Sequence, residues 1–182
     1  FEGRVFVVDN KRISVTQISA GLDALELIKK GITAKEIKKI LEADALKSGI
    51  YIVVSDIKYL KKGGRITPLA AALASFLKIK PVLQLHDAKI DAYAKARTLK
   101  QARQVMVDAI RQDLKERMND PSGKDCRIMV AQYDALEGAK EFAKELEPEF
   151  GKIEIVNLSL SVATHIGPGT IAIAAAKKID IN

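Results

Sequence analysis

Apolar positions along this chain recur at two different spacings, and the change from one to the other marks out its elements. Residues 5–8 form a continuous apolar run closed by Asp9, the pattern of a buried parallel strand. Leu22, Leu25 and Ile28 follow at helical spacing, with Gly31 as the stop. Thr33 and Glu36 then make a capping box, in which the hydroxyl accepts from a free helix N–H and the carboxylate reaches back. Ile37, Ile40 and Leu41 mark the apolar face of the helix it opens. One strand and two helices are predicted for this opening stretch.

The texture changes near Lys47, Ser48 and Gly49, where a domain boundary is expected. Strands are predicted at residues 50–54, 81–85, 89–96, 127–132, 153–160 and 170–176. His86, Asp87 and Ala88 join the second and third as a hairpin. Between the strands come a short helix over 56–62 and a helix over 69–77 opened by Thr67-Pro68. Thr98 and Gln101 cap a further helix, with Ala102, Met106, Ala109 and Ile110 on one face and an end near Met118. A last capping box at Asp134 and Glu137 precedes the Phe142, Ala143, Leu146 face. The expected class is α/β: residues 1–47 as the end of one α/β domain, residues 48–182 as a second, α+β domain. No repeat or low-complexity stretch interrupts this order.

Composition narrows the picture. A chain of 182 residues that is 48% hydrophobic and only 5% aromatic has an aliphatic core and no bias toward disorder. Thirty basic against 23 acidic residues leave a net charge of +7, which suits nucleic acid, an anionic surface or a small acidic ligand. The single Cys126 excludes an internal disulfide and, with two histidines, makes no plausible zinc site, so a reducing, cytoplasmic setting is expected. The charge-poor stretch over 66–77 is too short for a membrane span of roughly 20 residues. The run into residues 5–8 without an initiator Met or signal pattern is read as the later part of a larger protein.

No Ser-His-Asp order, phosphate-binding Walker loop or HExxH helix occurs, which argues against a self-contained enzyme. Three places stand out. Lys61-Lys62-Gly63-Gly64-Arg65 precedes a capped helix and can offer backbone N–H groups and positive charge to an anion; the alternative is a turn with solvated lysines. His165 stands directly before Gly167-Pro168-Gly169, between two apolar runs read as strands, where it can donate to a carboxylate or phosphate; the alternative is a tight turn with an incidental histidine. Arg97, at a strand end before a helix N-cap, has the planar fork that suits two anionic oxygens, or is an ordinary surface arginine. His86 reads as a surface residue of the hairpin.

Taken in this order, the segments at 60–66, 77–83 and 95–98 and the His165-Ile166-Gly167-Pro168-Gly169 turn resemble the DegV family of bacterial fatty-acid-binding proteins. The resemblance runs from residue 5 to residue 176 and corresponds to the later portion of a family member. It implies a six-stranded antiparallel sheet with helices, preceded by the last strand-helix portion of a parallel-sheet domain. It further implies a long-chain fatty acid as ligand in an apolar tunnel, no other cofactor, no catalysis of its own, and a separate fatty acid kinase as partner. That kinase would phosphorylate the presented carboxylate to an acyl-phosphate for phospholipid synthesis. By the same resemblance His165, with Gly167 and Gly169, lies near the carboxylate, and Arg97 meets phosphate or the kinase. Gly63, Gly64 and Arg65 match a family signature and shape a loop near ligand or partner, and the serine and threonine carboxylate ligands would lie upstream of Phe1. Gln17 fits the family pattern, while residues 10–18 lack its glycines. The competing expectation from charge alone is a basic nucleic-acid-binding module, against which stand the missing reading motif and the few aromatic residues.

Overall fold

The structure, a computed structural model, describes residues 3–64, 67, 79–86 and 89–180. Residues 5–10 carry no strand pairing among the described residues, against the expected buried strand, and Val5 and Val7 are exposed. A strand exists only through a ladder with a neighbour, and an apolar run without one stays irregular. Helix α1 (Ser14–Lys29) and helix α2 (Ala34–Ala43) follow. The capping box of α2 forms as expected: Glu36 N–H donates to Thr33 Oγ1, and Thr33 N–H donates to Glu36 Oε2.

Helix α1 turns a different face inward from the one its spacing suggested. Leu22, Leu25 and Ile28 are exposed, whereas Val15, Ala20 and Leu27 are buried together with Ser19 and Asp23. The reason is an ion pair that outweighs the apolar stripe. Arg127 reaches across from the sheet, its Nη1 2.6 Å from Asp23 Oδ1 and 2.9 Å from Ser19 Oγ. A buried carboxylate needs that partner, and providing it fixes the rotation of the helix.

The sheet has six strands: β1 (Ser48–Val53), β2 (Lys80–His86), β3 (Lys89–Ala96), β4 (Cys126–Tyr133), β5 (Glu154–Asn157) and β6 (Thr170–Lys177). Their order is β3-β2-β1-β6-β4-β5. All neighbours are antiparallel except the edge pair β4 and β5, which is parallel because a helix crosses between them. Residues 87–88 of the hairpin and the helix expected over 69–77 lie outside the described residues.

One face of the sheet is covered by α4 (Leu99–Glu116) and α5 (Leu136–Phe150), where Met106, Ile110, Leu114 and Phe142 pack on Val82, Val130 and Ile173. Thr98 caps α4 by accepting from Gln101 N–H, while Gln101 Oε1 accepts from Arg97 N–H. The box expected at Asp134 does not form. Asp134 adopts a left-handed backbone (φ 50°), and Gln132 Oε1 accepts the Ala135 N–H in its place. The opposite face carries Ile50, Ile52, Leu83, Met129, Ala172 and Ala174. It is bordered by the start of α1, the short α3 (Lys58–Lys62), and α6 (Leu160–Ile166). Helix α6 replaces the end of a strand expected over 153–160. Leu158, Val162 and Ile166 recur four residues apart, a helical signal that the apolar run at 153–158 had masked.

Candidate functional site

On that second face lies a cavity of ≈ 950 Å³, at the upper end of the roughly 300–1,000 Å³ usual for small-molecule sites. Alternation along the strands decides its floor. Ile50 and Ile52 of β1 point to it, while Tyr51 and Val53 between them point into the other core. Leu85, Ile90, Ala131 and Ala172 complete the floor, so it extends across β3, β2, β1, β6 and β4. Four strand spacings of about 4.8 Å give a width of about 19 Å. An extended chain advances about 1.2 Å per bond by the backbone's own dimensions, so some sixteen carbons would fit along it.

The walls are mixed. Val8, Ile13 and Val15 come from the entry and first turn of α1, Leu158 from the segment just before α6, and Val162 and Ile166 from α6 itself. Asp9, Asn10, Arg12, Ser14 and Gln17 add polar groups on the first wall, and Thr67, Ser161 and His165 elsewhere. Thr67 Oγ1 donates to Asp91 Oδ1 at 2.6 Å, which with the Ala92 N–H holds the Asp91 carboxyl below the usual carboxylate range.

His165 is on this wall, but in the last turn of α6 rather than at a strand end. The structure brings it together with the glycine pair. Gly63 closes α3 directly against the imidazole, and Gly64, at φ 61°, lines the cavity. Gly167 and Gly169 both have left-handed backbones, and both are tightly approached. A β-carbon at Gly167 would fall 2.3 Å from the Tyr59 ring, and one at Gly169 2.2 Å from Ser55 Oγ. These two glycines shape the turn and do not line the cavity. Arg97 follows β3 at the same end of the sheet as the Gly167–Gly169 turn, three strands away from β6 and outside the cavity wall. Arg65 lies outside the described residues. Sequence reasoning missed Arg12, Asn10, Ser14 and Ser161, for which no spacing signal existed.

The positive charge is dispersed. Arg12, Arg103, Arg111, Arg117 and Arg127 each face a carboxylate within 3.1 Å. Among the described residues no group of His, Cys, Asp and Glu could hold a metal ion, and no helix is long and apolar enough to cross a membrane.

The site is thus an aliphatic slot across a mixed six-stranded sheet, with His165 and Gly64 on its wall. The model of the DegV family, described as uncharacterised proteins, matches residues 1–178, and the chain belongs to that family. It is 29% identical over 175 residues to a DegV domain-containing protein of Clostridium acetobutylicum, covering 95% of this chain and 59% of that protein. The chain thus spans about three fifths of the length of the curated relatives it matches. Among solved structures it is similar to a DegV family protein from Thermus thermophilus described by its fatty acid binding, with TM-score 0.82, 28% identity, and coverage of 97% of this chain and 62% of that one. It is likewise similar to DegV of Bacillus subtilis, a fatty acid binding protein, with TM-score 0.78, 28% identity, and coverage of 96% and 61%.

Proposed function

We propose that the chain binds a long-chain fatty acid in the cavity over β3 to β4 and presents its carboxylate to a separate fatty acid kinase. The observation that carries this is the cavity itself, an aliphatic slot of ≈ 950 Å³ in a fold shared with fatty-acid-binding relatives. Each methylene buried there contributes about 0.8 kcal/mol, so aliphatic walls alone supply affinity and polar groups need only hold the head. In this reading His165 stands beside the carboxylate and the Gly167–Gly169 turn shapes its surroundings. Arg97, off the cavity wall but at the same end of the sheet, meets the kinase or its phosphate.

The chemistry belongs to the kinase: the carboxylate oxygen takes a phosphoryl group from a bound nucleoside triphosphate, forming acyl-phosphate for phospholipid synthesis and releasing the diphosphate. The setting is cytoplasmic, with residues 1–47 completing an α/β domain and residues 48–182 forming the lipid-binding one. Mass spectrometry of lipid extracted from the purified protein is expected to show a long-chain fatty acid. A protein that carries none, and takes up none when palmitate is added after delipidation, would sink the proposal. Arg97→Ala is expected to lower kinase-dependent acyl-phosphate formation with palmitate binding unchanged; full turnover would remove Arg97 from the docking face.

A further inference from the structure

Four strands finish together at one end of the sheet, and each leads into a helix there. Register places Val53 of β1 beside Val82 and Ile171, Tyr133 of β4 beside Thr170, Gln132 beside Asn157 of β5, and Ala96 of β3 beside Lys80. Helices α3, α4, α5 and α6 start from these four strand ends. Leu99, Leu136 and Leu160 are the first residues of α4, α5 and α6, and Tyr59 is the second of α3. All four are exposed, Leu160 to 75%. Apart from Tyr93, the other exposed large apolar side chains among the described residues lie within residues 5–46. A single exposed leucine is ordinary, whereas one at the start of every helix leaving this end is a pattern.

The same end is basic. Lys58, Lys61, Lys62, Lys80, Lys95 and Arg97 stand there against Asp56, Asp134 and Glu137. Two of these acids are already matched, Asp56 by Lys58 at 3.6 Å and Glu137 by Lys140 at 2.7 Å. A positive surplus among exposed apolar side chains suits an anionic partner that also takes apolar groups. A second copy of the chain would bring like charges together. The apolar residues are also dispersed: α4 and α5 cover one face of the sheet, α3 and α6 border the other. From β3 to β5 the end spans about 24 Å, at about 4.8 Å per strand. A protein interface gathers its anchors near one centre. A bilayer takes each side chain separately, leucine at the acyl boundary and tyrosine at the level of the headgroups.

We propose that this end of the sheet docks on an anionic lipid bilayer, with Leu99, Leu136 and Leu160 inserted and the lysines against the lipid phosphates. The cavity adjoins the docked end, because on its wall His165 belongs to the last turn of α6 and Gly64 follows the Gly63 cap of α3. An acyl chain leaving the bilayer there has a short path to the slot. The docking surface goes beyond the fatty-acid reading, and bilayer binding is measured without any fatty acid present.

The test sediments the full chain with vesicles of phosphatidylglycerol and phosphatidylcholine in equal parts, and with vesicles of phosphatidylcholine alone. At about 0.1 M salt, where charges act over about 10 Å, binding to the anionic vesicles is expected to be at least about tenfold stronger. It should fall by about tenfold or more at about 1 M salt, where that range shrinks to about 3 Å. The variant L99Q/L136Q/L160Q keeps every charge and is expected to lose about tenfold or more in binding to the anionic vesicles. K80E/K95E keeps the leucines and is expected to lose as much. Circular dichroism melts check that both are folded; should one unfold, the lipid and salt comparisons on wild type still decide. Equal binding of wild type to both vesicles, binding to neither, or undiminished binding by the folded leucine variant would overturn the docking surface. Palmitate uptake from solution is expected to be unchanged in both variants, and its absence in wild type would overturn the fatty-acid reading alone.

Discussion

Gly63 abuts the imidazole of His165 so closely that a β-carbon on Gly63 would lie 2.5 Å from Nδ1. The backbone of Gly63 is right-handed helical (φ −75°), so the glycine is needed there for space and not for conformation. Gly63→Ala is therefore expected to push the ring off the cavity wall, at a cost of about 1–3 kcal/mol from overpacking. Thermal unfolding would register the cost, and the His165 Cε1–H proton signal would report the displaced ring. An alanine variant with wild-type stability and an unmoved signal would contradict the contact.

Gly167 combines both constraints, a left-handed backbone (φ 78°) and the Tyr59 ring 2.3 Å from the position of a β-carbon. Gly167→Ala is expected to destabilise by more than about 1 kcal/mol, from backbone strain and clash together. In a double-mutant cycle Tyr59→Ala should return only the part due to the clash. Urea unfolding of the four proteins separates the two contributions.

Tyr51 is buried between two polar partners: its hydroxyl donates to Asp113 Oδ2 at 3.0 Å and accepts from Gln84 Nε2 at 3.0 Å. Burial first, and then the Asp113 charge, raise the phenol pKa well above its ordinary value. A raised folded-state pKa gives stability that is complete below the unfolded value of about 10 and is lost as pH rises beyond it, because the unfolded chain releases its proton first. Tyr51→Phe is expected to cost about 1–2 kcal/mol near pH 7. It should also flatten the decline in stability above pH ~10, with Tyr93, whose phenol is raised by burial, retaining part of the slope. Equal slopes in variant and wild type would show that Tyr51 ionises as freely folded as unfolded.

Burial and the neighbouring Asp120 push the Cys126 thiol up to about 12. Its thiolate, the reactive form, is then almost absent at pH 8. Iodoacetamide is expected to leave the native chain unmodified over hours and to label it fully in urea, read by intact mass.

On α1, Leu25 is exposed and Leu27 is 3% exposed. In this chain Leu25→Asp is expected to change stability by less than about 0.5 kcal/mol, and Leu27→Asp to cost more than about 3 kcal/mol. Circular dichroism melts of the two variants distinguish the observed helix rotation from the one suggested by Leu22, Leu25 and Ile28.

The sequence by itself determined the six strands, the helices at 34–43 and 99–116 with their threonine caps, and the grouping of the Gly63-Gly64, His165 and Arg97 segments with one family. These are local matters: a threonine cap lies three residues from the N–H it accepts, and strand periodicity is visible in a handful of residues. Tertiary structure alone decided which face of α1 is buried, because Arg127 meets Asp23 only after the chain has folded across more than a hundred residues. It also decided that residues 5–8 remain unpaired among the described residues and that β5 runs parallel to β4, since pairing belongs to neighbours and not to a segment. The cavity is of the same kind. Arg12, Ile52 and His165 line one space although nothing in their spacing joins them, and only the fold, by laying the segment before α1 and helix α6 over the sheet face to which Ile52 points, brings them together.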